Sequence, residues 1–144
     1  MKISAKSRYA LAALVYMAQH SAANEPTTVL SLSENLGISK IYLEQVFSLL
    51  RRGDVVTSIK GAQGGYRLTR EPSNISIFDI FSAIETSMFE RTESTVASSS
   101  ETIERAMFGV VFEPLDNALR STLTAISLED IVSKAAKNDY MYYL

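Results

Sequence analysis

The sequence predicts a mainly α-helical protein that carries one small β-hairpin. Two short helical segments meet at Leu36-Gly37-Ile38-Ser39, a glycine-rich hairpin follows them closely, and the second half shows a long apolar repeat at helical spacing. Helix, turn, helix and then hairpin is the order of a winged helix-turn-helix domain. The long repeat adds a C-terminal helix to it.

Each element has its own signal. The first helix is expected from about Ser4 to His20, with Leu11, Leu14, Val15 and Ala18 as its buried stripe and His20 as a helix-end residue. Residues 21–26 read as a loop. Thr28 caps a short helix with Val29, Leu32 and Leu36 on one face, and Gly37 supplies its left-handed stop. Ser39 opens the next helix, in which Leu43, Val46, Phe47 and Leu50 form the inner stripe and Gly53 ends the run. Val55 to Ile59 and Tyr66 to Thr69 are the strands on either side of the Gly61–Gly65 turn. Ser76 with Asp79, and again Ser127 with Asp130, have the spacing of capping boxes. The first opens a helix with Ile77, Ile80, Phe81 and Ile84 inward, the second a last helix through about Ala136. Between them lie a Ser/Thr/Glu-rich stretch from Thr86 to Thr102, expected to be a mobile loop, and the apolar repeat from Ile103 to Ile126. Pro114 is expected to kink or restart the helix there. The chain thus divides into 1–85, 86–102 and 103–144.

Composition narrows the function. The net charge of −2 hides an asymmetry: residues 1–70 hold nine lysines and arginines against four acids, and residues 71–144 hold five against twelve. A basic segment joined to an acidic one suggests that only the first meets phosphate. There is no cysteine, which excludes disulfides, zinc ribbons, cysteine nucleophiles and thiolate-held iron–sulfur clusters. A single histidine and no carboxylate pair or metal-ligand spacing argue against an enzyme and against a metal or other cofactor. No cleavage site follows the apolar run from Tyr9 to Ala18, and no apolar stretch approaches about 18 residues, so a cytoplasmic protein without a membrane partner is expected.

The helix from Ser39 to Arg52 is the candidate reader of double-stranded DNA. Opposite its apolar stripe lie Ile41, Glu44, Gln45, Ser48 and Arg52. Gln45 can pair with adenine, Glu44 can accept from cytosine N4, and Ile41 can lie against a thymine methyl. Ser39, Lys40 and Tyr42 at the helix start, with Arg52 at its end, are placed beside the sugar–phosphate backbone. In the wing, Lys60 stands next to Gly61, Gly64 and Gly65, whose missing side chains let backbone approach a phosphate wall or minor groove, with Arg67 and Arg70 nearby. Lys2, Lys6 and Arg8 form a basic start that can also meet phosphate. The other reading of the same residues is a winged-helix protein-interaction module that does not bind DNA.

Ser7-Arg8-Tyr9-Ala10-Leu11, Tyr42-Leu43-Glu44-Gln45-Val46-Phe47, Lys60-Gly61 with Gly64-Gly65-Tyr66, and Ile126 to Val132 together resemble the Rrf-two (Rrf2) family of bacterial winged-helix transcription regulators. The resemblance covers nearly the whole chain. It implies a repressor acting as a homodimer on a pseudo-palindromic operator, held by the long helix through Ile103, Met107, Val111, Leu115, Leu119 and Leu123. It also implies that Glu44 tunes sequence preference, and that Lys60 stands where an arginine usually reaches the minor groove. Cluster-binding members place three cysteines in the stretch matching Thr86 to Thr102, where this chain has none. The ending Tyr140-Met141-Tyr142-Tyr143-Leu144 is similar to that of cluster-free cysteine-metabolism repressors of the family, which implies a signal arriving through a sensor protein such as cysteine synthase.

Overall fold

The first helix of the computed structural model, α1, spans Ala5–His20; residues 1–20, 25–61 and 64–142 are described, 139–142 by backbone alone. Ser7, Ala10, Ala13, Leu14 and Met17 form its buried side, whereas Leu11, Val15 and Ala18 are half-buried. The inner stripe is therefore rotated from the expected one. Tyr9 through Ala18 is apolar throughout, so the pattern fixes a helix without fixing which side faces in. Most of the expected loop over 21–26 lies outside the described residues.

Helices α2 (Val29–Leu36) and α3 (Lys40–Arg52) follow as the sequence predicts. Thr28 Oγ1 accepts from Ser31 N at 3.0 Å, and Gly37 takes the left-handed conformation at φ 67°. Leu43, Val46, Phe47 and Leu50 of α3 are all fully buried. Each such side chain stabilises the fold by about 1.5–3 kcal/mol at most, enough together to fix the rotation of α3 about its axis. Strands β1 (Val56–Ile59) and β2 (Gly65–Leu68) pair antiparallel, with Thr57 opposite Arg67 and Ile59 opposite Gly65. A single 3₁₀ turn at Pro72–Asn74 leads to α4 (Ile77–Ile84). Both capping boxes form: Ser76 and Asp79 exchange bonds of 2.9 and 3.0 Å, Ser127 and Asp130 bonds of 2.8 and 3.1 Å.

The stretch after α4 is a series of turns that ends at Ser100, which caps α5 (Glu101–Met107). The helix therefore begins two residues before the expected Ile103. It continues through a π-helical turn, Phe108–Phe112, into α6 (Glu113–Ala125). Glu113 N donates to Phe108 O, five residues back. This is how the chain accommodates Pro114, which has no N–H for the carbonyl of Val110 and would clash with it in a regular α-helix. Helix α7 (Leu128–Tyr142) runs beyond the expected end at Ala136. One core gathers α1, α2, α3, α4 and the wing, and Leu128 of α7 is fully buried in it.

The start of α1 shows how separate helices complete one another. Ser4 Oγ accepts from Ser7 N at 3.2 Å, an ordinary N-cap, but Ser7 is too short to return the bond. Glu85, just beyond α4, does so instead: its Oε1 accepts from Ser4 N at 3.2 Å and from the buried Ser7 hydroxyl at 2.8 Å. The Ser4 hydroxyl, then that of Ser7 and the Ser4 N–H, hold the Glu85 carboxyl below its ordinary pKa against an opposing desolvation.

As pH falls, the unfolded chain then takes up the Glu85 proton first, so the stabilisation is full above the usual carboxylate range and disappears below it. Glu85→Gln is expected to flatten the acid limb of stability against pH, measured by urea denaturation from neutral to acidic pH. Equal steepness in the two proteins would exclude this role for Glu85.

Candidate nucleic-acid interface

With its inner stripe locked, α3 turns a polar side to solvent. Ile41 is 70% exposed, Glu44, Gln45 and Arg52 are exposed, and Ser48 is half-buried. Ser39 Oγ caps the helix by accepting from Tyr42 N at 3.4 Å. Lys6 of α1, seen in the sequence only as part of a basic start, reaches this same side. With Ile41, Glu44, Gln45, Ser48 and Arg52 it surrounds a shallow depression of about 500 Å³. Lys2 and Arg8 are exposed on the chain's first turns.

Two residues at the start of α3 are engaged within the chain. Lys40 Nζ lies 3.9 Å from Glu44 Oε1, an exposed i,i+4 pair that contributes about 0.5 kcal/mol or less and opens readily to a phosphate. Tyr42 is half-buried with its ring edge-on to Tyr9 at 5.1 Å, so it braces α3 against α1. Sequence reasoning missed Tyr9, because a contact between two helices leaves no local trace.

In the wing, Lys60 and Gly61 are exposed at the tip and Arg67 is exposed on β2; Ala62 and Gln63 lie outside the described residues. The other two glycines serve the fold. Thr27 pairs with Tyr66 as a third, isolated strand position, through N–H···O bonds of 2.8 Å in both directions. A Cβ on Gly65 would stand 2.5 Å from the Thr27 carbonyl oxygen, and one on Gly64 would stand 2.6 Å from that of Ile59. Their missing side chains are thus required inside the hairpin, a role that the sequence alone did not show. Gly61, at φ 132° with nothing near its Cβ position, is the one of the three left open to a partner. Arg70, which the sequence placed only near Lys60, donates to the carbonyls of Asn74 and Asp54 and pairs with Asp79 at 3.1 Å, clamping the wing to α4.

A family model described as an iron-dependent transcriptional regulator, Rrf2, matches residues 3–134. The chain belongs to the Rrf2 family. It is a DNA-binding winged-helix transcription regulator and, like its relatives, not an enzyme. It is 34% identical over 132 residues to the regulator IscR of Xenorhabdus nematophila, covering 92% of this chain and 79% of that one. Against IscR of Escherichia coli O9:H4 the identity is 32%, over 92% and 81% of the two chains. Among solved structures it is similar to CymR (YrzC), the global cysteine regulator of B. subtilis, at 32% identity and a TM-score of 0.71, covering 93% of this chain and 98% of that one. IscR of T. potens gives 33% identity and a TM-score of 0.71, over 99% and 97%.

The iron in the family's description does not fit the residues this Rrf2 protein has. Its sequence holds no thiolate, and the described residues hold no cluster of three histidines or carboxylates able to take a metal. His20 stacks on Tyr16 at 4.1 Å with its Nδ1 3.1 Å from the Tyr16 carbonyl oxygen. The stretch from Thr86 to Thr102 is instead held by Glu104, whose two carboxylate oxygens accept from Thr95 N and Val96 N at 2.9 Å each. Those backbone N–H groups, Val96 first, hold its pKa below the ordinary value.

The separate jobs of the two wing arginines can be measured. Arg70→Ala is expected to lower stability by about 1–3 kcal/mol by leaving Asp79 and two carbonyls without their partner. Arg67→Ala should leave the urea midpoint within about 0.5 kcal/mol of the parent, as surface changes do. The reverse order would remove the clamp from the account.

Proposed function

We propose that the protein represses transcription as a homodimer, reading a pseudo-palindromic operator through Ile41, Glu44, Gln45 and Ser48. The observation that carries this is the outward face of α3, where Gln45, Glu44 and Ile41 are exposed on a helix whose other face cannot turn away from the core. Lys6, Lys40, Arg52, Lys60 and Arg67, with Lys2 and Arg8 on the first turns, supply the sequence-independent attraction to phosphate. Ser39 and Tyr42 fix the start of the reading helix. The site of action is the cytoplasm; no helix among the described residues is long and apolar enough to cross a membrane.

The second protomer is argued from the long helix. Ile103 is 55% exposed, Val110 76%, Val111 45% and Leu115 64%, an apolar row that a lone soluble chain would present to water. Met107 and Leu119 are half-buried beside it, whereas Leu123 packs on the core of its own chain and contributes less to any partner. In this reading the units 1–85, 86–102 and 103–144 are DNA reader, effector region and dimerisation arm. Similarity to a cysteine regulator supports a role in cysteine or sulfur metabolism, with a sensor protein such as cysteine synthase as the partner that brings the signal.

Gln45→Ala is expected to cost about 1–3 kcal/mol per half-site and to relax base preference there, whereas Lys60→Ala lowers the slope of log K against log salt by about 1 per protomer. Both are measured by fluorescence anisotropy on the chain's own promoter region. No binding by the parent protein across that region would favour the protein-interaction reading, to which the exposed Ile41 also lends itself, and binding that neither substitution changes would place the reading face elsewhere. Leu115→Glu should yield a monomer in analytical ultracentrifugation with its helix content intact, because a carboxylate at a two-fold contact is buried twice. A dimer of unchanged affinity would place the interface elsewhere.

A further inference from the structure

We propose that the hollow between residues 89–92 and the π-helical turn binds a small zwitterionic amino acid with an apolar side chain. The hollow measures about 420 Å³, is separate from the α3 face, and has a size ordinary for a small-molecule site. Phe89, Phe108 and Phe112 form its apolar wall, the latter two edge to face at 5.2 Å. Both rings belong to the π-helical turn that precedes Pro114. Such turns cost helix stability and recur at functional positions.

The charges around the hollow decide the ligand. Arg120 is engaged: its Nε lies 3.0 Å from Asp116 Oδ2, and its Nη2 donates to the Phe89 carbonyl at 2.9 Å. Glu90, Arg91 and Glu113 make no ion pair among the described residues. Arg91 is held over the ring of Phe108 at 5.1 Å, a stack that orients the guanidinium while leaving its donor fork unused. A planar fork without a partner takes a carboxylate. Glu113 supplies the opposite charge for an ammonium group, and the phenylalanine rings receive the side chain. A phosphate would meet the carboxylates of Glu90 and Glu113, and a simple fatty acid would leave Glu113 unmatched.

An occupant would also be felt by the winged helix. Arg120 lies 5.6 Å from the ring centre of Phe89 and 5.7 Å from that of Phe78 on α4, so pressure on Phe89 passes to the helix that the wing is clamped to. This last consequence rests on the DNA-binding reading above; the binding itself does not.

Calorimetric titration of the full chain with L-phenylalanine, L-methionine and L-leucine at millimolar concentration tests the proposal without DNA. A negative result there is therefore distinguishable from a failure of operator binding. At least one of the three is expected to bind, and its N-acetyl derivative, which lacks the ammonium, should bind about tenfold or more weakly. Arg91→Ala and Glu113→Gln, both at exposed positions, should each weaken binding by a similar factor with the melting temperature unchanged. No heat and no thermal shift with any of the three overturns the proposal, as does equal affinity for the N-acetyl form or for the Arg91→Ala protein.

Discussion

The arrangement of the molecule depends on a short backbone seam between residues 75–77 and 126–128. Ile77 N donates to Ile126 O at 2.9 Å and Leu128 N donates to Ile75 O at 2.8 Å, so Ser76 and Ser127 stand opposite each other as an isolated antiparallel bridge. Both serines are N-caps. The seam thus sets the start of α4 against the start of α7, while Ile75 and Leu128 are fully buried on either side of it. Backbone bonds shielded by apolar side chains are costly to break, because a freed buried N–H or carbonyl finds no water. The long helix ends at this junction, and its apolar row at Ile103, Val110, Val111 and Leu115 is exposed.

What the sequence made legible was the short-range chemistry. The two capping boxes, the Thr28 and Ser39 caps, the left-handed Gly37 and the stripe of α3 need only residues three or four positions apart, and all are present. What stayed hidden links distant segments. Thr27 meets Tyr66 across the wing, Glu85 completes the cap of Ser4, and Arg70 gathers Asp54, Asn74 and Asp79. A local pattern carries no trace of these, and so the structural roles of Gly65 and Arg70 could not be read from the sequence. The uniform apolar run of α1 failed for the opposite reason: it is compatible with any inward side. Pro114 announced a disturbance, but its i−4 carbonyl placed the π-turn before the proline rather than at it.

On the reading side, the same division explains Lys6. In the sequence it was one of three charges near an end; in the fold, α1 packs against α3 and brings Lys6 to the depression lined by Gln45 and Arg52. Tyr42 against Tyr9 and Tyr66 against Phe47, at 5.1 and 4.9 Å, brace α3 from α1 and from the wing. In the proposed reading α3 must not roll, since one position of rotation replaces a polar face with an apolar one. These aromatic contacts and the four buried residues of α3 all resist that roll.

The charge asymmetry that first suggested nucleic acid has two separate causes. In the acidic half, the carboxylates of Asp79, Glu85, Glu104, Asp116 and Asp130 each accept hydrogen bonds within the chain, as caps, loop clasps or partners of an arginine. For these five the charge serves the fold. In the basic half, Lys6, Arg52, Lys60 and Arg67 make no ion pair among the described residues, and Lys40 makes only a loose one. Cations without a carboxylate partner leave an uncompensated field, which in the proposed reading attracts the phosphate backbone. Many of the acids are engaged within the structure and many of the bases are not, so the local excess of positive charge, rather than the net charge of the chain, is what a duplex would encounter.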